Sequence, residues 1–215
     1  MKVSWIGGWG VAPEYLKPLA ESYLTGAIHS FLPPVTEAVA TVAQSDRIVA
    51  WSLGAWRVLD YACRGGVLAG PVVLLAPVVA FCAEDHLGGR VARSQVRWLR
   101  RWLERDPEAA LRDFRERAGL QPNASLSSAD PSPMPYRLAD LREGLDRLAA
   151  PPSPALCEFV RGGLPARWRA LTGDADPLLD GVQLCRLLPG CELVPGASHE
   201  PISFLTSLKG GRDAI

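Results

Sequence analysis

The feature that most limits the fold of this chain is a rhythm. Short apolar, β-branched runs alternate with segments of about 10 to 15 residues that carry helical periodicity. Val3 to Ile6, Ala27 to Leu32, Arg47 to Trp51, the start of Pro71 to Phe81, Arg167 to Leu171 and Glu192 to Val194 read as strands. Between them, Pro13 to Tyr23 places Tyr15, Leu16, Leu19 and Tyr23 on one helical face, and Thr36 can cap a helix through Ala43. Leu53 to Cys63 continues as a helix directly from a strand, and Val182 to Leu188 is another helix. Strands separated by helices predict a parallel sheet covered on both faces, and the unbroken apolar run from Pro71 suits a central strand of such a sheet. The fold class is therefore α/β, a mostly parallel doubly wound sheet.

Residues 83–163 break the rhythm, so a helical lid is expected there, inserted after the strand at about 71–80 and dividing a core made of 1–82 and 164–215. Arg90 to Arg105 is strongly helical, with Trp98, Leu99, Trp102 and Leu103 at spacings that make one apolar face. Asp106-Pro107 caps and opens a second helix, which runs to about Ala118 and stops at Gly119. Gln121 to Pro135 is polar and proline-rich and predicts a loop or mobile strap. Leu138, Leu141, Leu145 and Leu148 mark a third amphipathic helix, ended by Pro151-Pro152-Ser153-Pro154.

At 215 residues the chain has room for one domain with a modest insertion. Its 23 basic side chains balance 23 acidic ones, which argues against nucleic acid as a partner. No stretch approaches the roughly 18 apolar residues that span a bilayer. The N-terminus breaks into glycines after about four strand-like residues, too early for a signal peptide, so a cytoplasmic monomer is expected. Cys63, Cys82, Cys157, Cys185 and Cys191 are odd in number and lack Cys-x-x-Cys spacing, which predicts reduced, mostly buried thiols. No metal or cofactor is expected.

The chemistry concentrates in three loops. A serine hydroxyl is a poor nucleophile and needs a base within reach and an acid to orient that base. Ser52, Asp176 and His199 occur in that order, each just after an expected strand. Ser52 lies in Ala50-Trp51-Ser52-Leu53-Gly54, where small residues two before and two after the serine let strand and helix backbones approach. Ser52 as an ordinary helix N-cap is the competing reading. Asp174 is the alternative acid, directly after the strand-ending glycine, and either Asp174 or Asp180 could instead cap the helix that begins near Pro177. His199 is one of three histidines and sits in a Gly-Ala-Ser-His loop. Attack on an ester also requires N–H donors for the oxyanion. The amides of Leu53 and Trp9 are the candidates, the latter in the turn Gly8-Trp9-Gly10, for which a flexible turn without function is the alternative.

From Arg90 to Arg117 nine arginines face five acids, a local excess of about +4. Arg93, Arg97, Arg101 and Arg105 recur at i, i+4 on one helix flank. This is either a solvated face or a docking surface for an acidic partner or a phosphorylated ligand, since arginine pairs bidentately with carboxylate and phosphate.

At Gly8-Trp9-Gly10, Trp51-Ser52-Leu53-Gly54, Gly173-Asp174-Ala175-Asp176 and Gly196-Ala197-Ser198-His199 the chain resembles the pimeloyl-carrier-protein methyl ester esterases of biotin synthesis, members of the α/β-hydrolase superfamily. The likeness runs through most of the chain. It implies a serine carboxylesterase with Ser52, Asp176 and His199 as triad and Trp9 and Leu53 as oxyanion hole. It also implies that Trp9 and Trp51 contact substrate, Trp51 lining the acyl channel, and that Arg93, Arg97, Arg100 and Arg101 grip an acyl carrier protein. Two departures stand out: the usual His-Gly-x-Gly turn reads Gly7-Gly8-Trp9-Gly10, and the customary N-terminal hairpin is absent.

Overall fold

The computed structural model describes residues 1–120 and 136–210; the loop expected at 121–135 lies outside them. Six strands form one sheet: β1 (Lys2–Ile6), β2 (Ile28–Leu32), β3 (Arg47–Trp51), β4 (Val72–Leu75), β5 (Trp168–Gly173) and β6 (Cys191–Val194). Their order is β2-β1-β3-β4-β5-β6, and every neighbouring pair is parallel. No antiparallel hairpin joins the sheet among the described residues. The chain winds one way from β1 to β2 and the other way from β3 onward. This reversal opens a crevice beyond the carboxyl ends of β1 and β3, the place where such sheets bind ligands.

The helices that cover the sheet are α1 (Lys17–Tyr23), α2 (Ala38–Val42), α3 (Leu53–Cys63), α8 (Gly181–Leu187) and α9 (Leu205–Gly210). The insertion between β4 and β5 holds α4 (Arg93–Arg105), α5 (Pro107–Arg117), α6 (Leu138–Ala149) and α7 (Pro154–Arg161). Helix α4 packs on α5 and α6, and their apolar faces join the same buried cluster as the sheet. A bidentate ion pair from the buried Arg57 of α3 to the half-buried Glu143 of α6 also ties the insertion to the core. Arg57 is 5% exposed, and its Nε donates to Pro34 O at 3.1 Å. Burial alone would raise the Glu143 carboxyl, but the hydrogen bonds from Arg57 and Arg147 outweigh it and hold the carboxyl below its usual range.

Four expectations are corrected. The apolar run from Pro71 is a strand only to Leu75. Ala76 then adopts φ 45°, and residues 76–82 are apolar because they are buried irregular backbone rather than because they pair in the sheet. Helix α7 falls where only a proline break was expected. Its start is nonetheless well made: Ser153 Oγ accepts from Leu156 N at 3.2 Å, and Pro154 occupies the first turn, where no N–H is needed. Trp98 leaves the apolar face assigned to it. The buried stripe of α4 is Val96, Leu99 and Leu103, while Trp98 is 44% exposed against Trp102, with the Arg117 guanidinium over its ring. All five cysteines are free, but only Cys82 is buried; the other four are half-buried, because they lie on helix flanks or at the β6 edge.

Candidate active site

Strand β3 ends at Trp51, and the backbone reverses into α3 through Ser52 at φ 55°, ψ −117°. A β-carbon makes this region unfavourable by about 1–3 kcal/mol, strain that is kept where it aims a side chain. The bend closes because Gly54 lacks a side chain: a β-carbon there would lie 2.6 Å from the carbonyl oxygens of both Ile6 and Gly7. Gly54 N donates to Gly7 O at 3.1 Å, which binds the elbow to the turn after β1. Ser52 makes no side-chain cap to α3. Its Oγ instead lies 3.0 Å from His199 Nε2, and His199 Nδ1 lies 2.7 Å from Asp176 Oδ2. Ser52 is 6% exposed, His199 1% and Asp176 0%. A carboxylate only accepts, so Nδ1 carries the ring proton and Nε2 presents its lone pair to the serine hydroxyl.

The three aspartates separate by contact. Asp176 Oδ1 accepts the amides of Leu178 and Leu179 at 2.8 and 3.0 Å, leaving Oδ2 for the imidazole. Asp174 is exposed and accepts Gly196 N at 2.6 Å, which staples the loop that carries His199. Asp180 caps α8 through Gln183 N at 2.9 Å.

No family model matches the chain, and no curated protein matches its sequence. Solved structures do match. An esterase from Exiguobacterium antarcticum superposes with TM-score 0.71 at 12% identity, over 93% of this chain and 85% of that one. An esterase from Rhodococcus sp. gives 0.67 at 16%, over 97% and 89%. A hydrolase from Pseudomonas aeruginosa gives 0.65 at 11%, over 98% and 90%. The fold is the α/β-hydrolase fold. In that fold a serine elbow, an acid and a histidine follow successive strands of the sheet, and Ser52, Asp176 and His199 follow β3, β5 and β6.

The amides of Leu53 and Trp9 follow the neighbouring strands β3 and β1, and among the described residues neither donates a hydrogen bond within the protein. The Trp9 indole is 1% exposed and points into the insertion, where its Nε1 donates to Leu141 O at 2.8 Å. Trp51, expected beside the acyl chain, is also 1% exposed. Its Nε1 donates to His199 O at 3.0 Å, one face stacks on Tyr15 at 5.8 Å, and its ring lies 5.6 Å from the imidazole. Tyr15 OH donates to Glu200 Oε2 at 2.5 Å. The indole of Trp51 thus supports the histidine loop rather than a channel wall. Arg90 Nη1 donates to Asp176 O at 2.7 Å from the foot of the insertion.

Of the four arginines expected to grip a carrier, two are engaged within the chain. Arg93 pairs with Asp85, and Arg100 with Glu104 and Asp146 at 2.8 and 2.5 Å. Arg97 and Arg101 are exposed and have no carboxylate within 4 Å among the described residues. A groove of about 300 Å³ is lined by Arg93, Val96, Arg97, Arg100, Leu145 and Asp146, among others.

Sequence reasoning missed Tyr15, Arg90, Arg115 and Tyr136, each of which touches a candidate loop. Arg115 alone left a signal, lying at i+4 from Leu111 and i−3 from Ala118 on the buried face of α5.

Proposed function

We propose that the chain is a serine carboxylesterase. The observation that carries this reading is the buried, correctly ordered contact chain Ser52 Oγ–His199 Nε2, His199 Nδ1–Asp176 Oδ2 at the carboxyl ends of three parallel strands. Ser52 Oγ attacks the ester carbonyl carbon as His199 Nε2 takes the hydroxyl proton. The oxyanion of the tetrahedral adduct is held by the Leu53 and Trp9 amides, each such donor contributing about 10²- to 10³-fold. Collapse breaks the bond to the alcohol oxygen, which leaves with the proton from His199. Water, deprotonated by the same nitrogen, then attacks the acyl-Ser52 carbonyl, and the acid leaves with Ser52 restored. Trp51, Tyr15 and Arg90 act as positioning residues for the histidine and the acid.

The substrate we infer is a methyl ester of a pimeloyl chain on acyl carrier protein. Support comes from the motifs that resemble that esterase family and from the cationic flank of α4, where exposed Arg97 and Arg101 are available to an acidic partner. On this reading residues 83–163 are a lid, whose described helices pack into the same buried cluster as the sheet.

Incubation with methyl pimeloyl carrier protein is expected to release methanol. The ratio of kcat/KM on this ester to kcat/KM on a small methyl ester is expected to fall about tenfold in Arg97→Glu/Arg101→Glu, and with rising salt, as interfacial charge contacts are lost. An unchanged ratio selects a general short-chain esterase or thioesterase. No hydrolysis of any ester selects a hydrolase-like binding protein.

A further inference from the structure

The turn that carries the Trp9 amide is fastened mainly to the insertion. On the core side, Gly7 N donates to Leu32 O at 3.0 Å and Gly7 O accepts from Gly54 N. Beyond that residue the partners change. Gly10 N donates to Tyr136 OH at 3.0 Å, and Gly10 O accepts from Arg115 Nε at 2.8 Å. The Trp9 indole donates to Leu141 O, meets Phe114 edge to face at 4.6 Å, and fits against α6 only because Gly144 has no β-carbon, which would lie 2.7 Å from its ring. Gly10 itself sits at φ 76°, a conformation open to glycine, so the turn has little stiffness of its own. Helices α5 and α6 and Tyr136 therefore constrain the Trp9 side chain and the residue that follows it.

Arg115 is an expensive residue to place there. Its guanidinium is desolvated, which pulls it below its usual range, and among the described residues no carboxylate lies within 4 Å of it. Arg115 is half-buried, and a cation desolvated to that degree without an acid partner does not improve stability. Holding one backbone carbonyl at a fixed angle is a use that justifies it.

We propose that Arg115 and Tyr136 are positioning residues for the oxyanion donor at Trp9, so that the closed lid completes the oxyanion hole. This rests on the esterase reading above. When α5 and α6 move away, Gly10 loses both partners and the Trp9 amide loses its aim, while the Ser52–His199–Asp176 contacts remain within the core loops. Hydrolysis is then confined to the closed state, in which the Trp9 amide is aimed at the oxyanion.

The test uses Tyr136→Phe, which removes one oxygen, with Arg115→Met and Arg115→Lys. Active sites are counted by titrating Ser52 to completion with a fluorophosphonate, and kcat on p-nitrophenyl acetate is expressed per titrated site. Affinity for a trifluoromethyl ketone, which forms a tetrahedral oxyanion, is measured alongside KM. Misaligning one donor is expected to lower kcat per site about tenfold in Tyr136→Phe and Arg115→Met. Ketone affinity is expected to weaken in parallel and KM to stay within about twofold, and Arg115→Lys should recover part of the loss. A merely structural role would reduce the number of titratable sites and leave kcat per site unchanged. Values of kcat per site and ketone affinity within twofold of the parent in both Tyr136→Phe and Arg115→Met overturn the proposal. A parent chain with no titratable serine overturns the esterase reading itself, a result distinct from any variant effect.

Discussion

Asp176→Asn separates orientation from bulk at the candidate acid. The carboxylate uses one oxygen for two amides, Leu178 N at 2.8 Å and Leu179 N at 3.0 Å, and the other for His199 Nδ1 at 2.7 Å. Two N–H donors require an acceptor, so a carboxamide must turn its oxygen toward them. The reverse orientation would strand two buried amides at about 1–3 kcal/mol each, or about 2–6 kcal/mol together, more than the single contact to histidine returns. The NH₂ group therefore faces Nδ1, which must become an acceptor, and the ring proton moves to Nε2. An Nε2–H donates to Ser52 Oγ and cannot take its proton. The loss of kcat expected for a wrong tautomer is about 10⁴-fold, or about 5 kcal/mol at 1.36 kcal/mol per decade. Both amide contacts survive, so thermal stability should change by no more than about 1 kcal/mol. The assay is release of p-nitrophenol from p-nitrophenyl acetate, paired with a thermal melt. In Asp174→Asn the exposed side chain still accepts Gly196 N, and kcat should stay within about twofold. A folded Asp176→Asn chain within tenfold of the parent would refute the reasoning that these two amides fix the tautomer.

Other changes have equally local causes. Gly54→Ala puts a methyl 2.6 Å from two carbonyl oxygens, so the elbow must open at a cost of about 1–3 kcal/mol, read as a lower melting temperature together with lost activity. Trp51→Phe keeps most of the ring against Tyr15 but drops the bond to His199 O, about 1 kcal/mol, which predicts a roughly fivefold lower kcat at unchanged KM in steady-state kinetics. Glu143→Gln removes the charge of a carboxylate that is 35% exposed while leaving an oxygen to accept from Arg57, and should cost about 1–2 kcal/mol in urea unfolding at pH 7. The Glu143 carboxyl is held below the ordinary value of 4.5, so its contribution is complete above that pH and fades as pH falls through the lower folded value. The stability difference between parent and variant should therefore be flat from pH 5 to 7 and shrink below about pH 4; a difference that grows with acid would contradict the ion pair.

Much of the sheet was readable because its signals are local. Arg47–Trp51 and Leu53–Cys63 begin and end where β-branched residues, small residues and glycines place them. That Ser52, Asp176 and His199 would meet was readable from their order and their places just after strands, since a parallel sheet brings its strand ends to one edge. The failures share a physical origin. Residues 76–82 are apolar from burial without pairing, and periodicity does not distinguish the two. Trp98 shares a broad apolar arc with Trp102, but the stripe that packs is Val96, Leu99 and Leu103, and Trp98 lies about 100° round the helix from the nearest of them. The indole of Trp51 was assigned by analogy to the acyl channel, yet its partner is the carbonyl of a residue 148 positions away. The contacts of Arg90, Arg115 and Tyr136 to candidate loops likewise join distant segments, at separations of 86, 105 and 126 residues, and a single sequence carries no trace of such pairings.

The central claim is that Ser52 carries the acyl group between two half-reactions. It is tested most directly by mixing the chain with p-nitrophenyl acetate, quenching with acid within a turnover, and mapping the adduct by peptide mass spectrometry. The account predicts one acetyl group on Ser52, none in Ser52→Ala, and slower formation in His199→Gln. Acetate released with no acyl-protein at any quench time, or an acetyl group on another side chain that persists in Ser52→Ala, would contradict it.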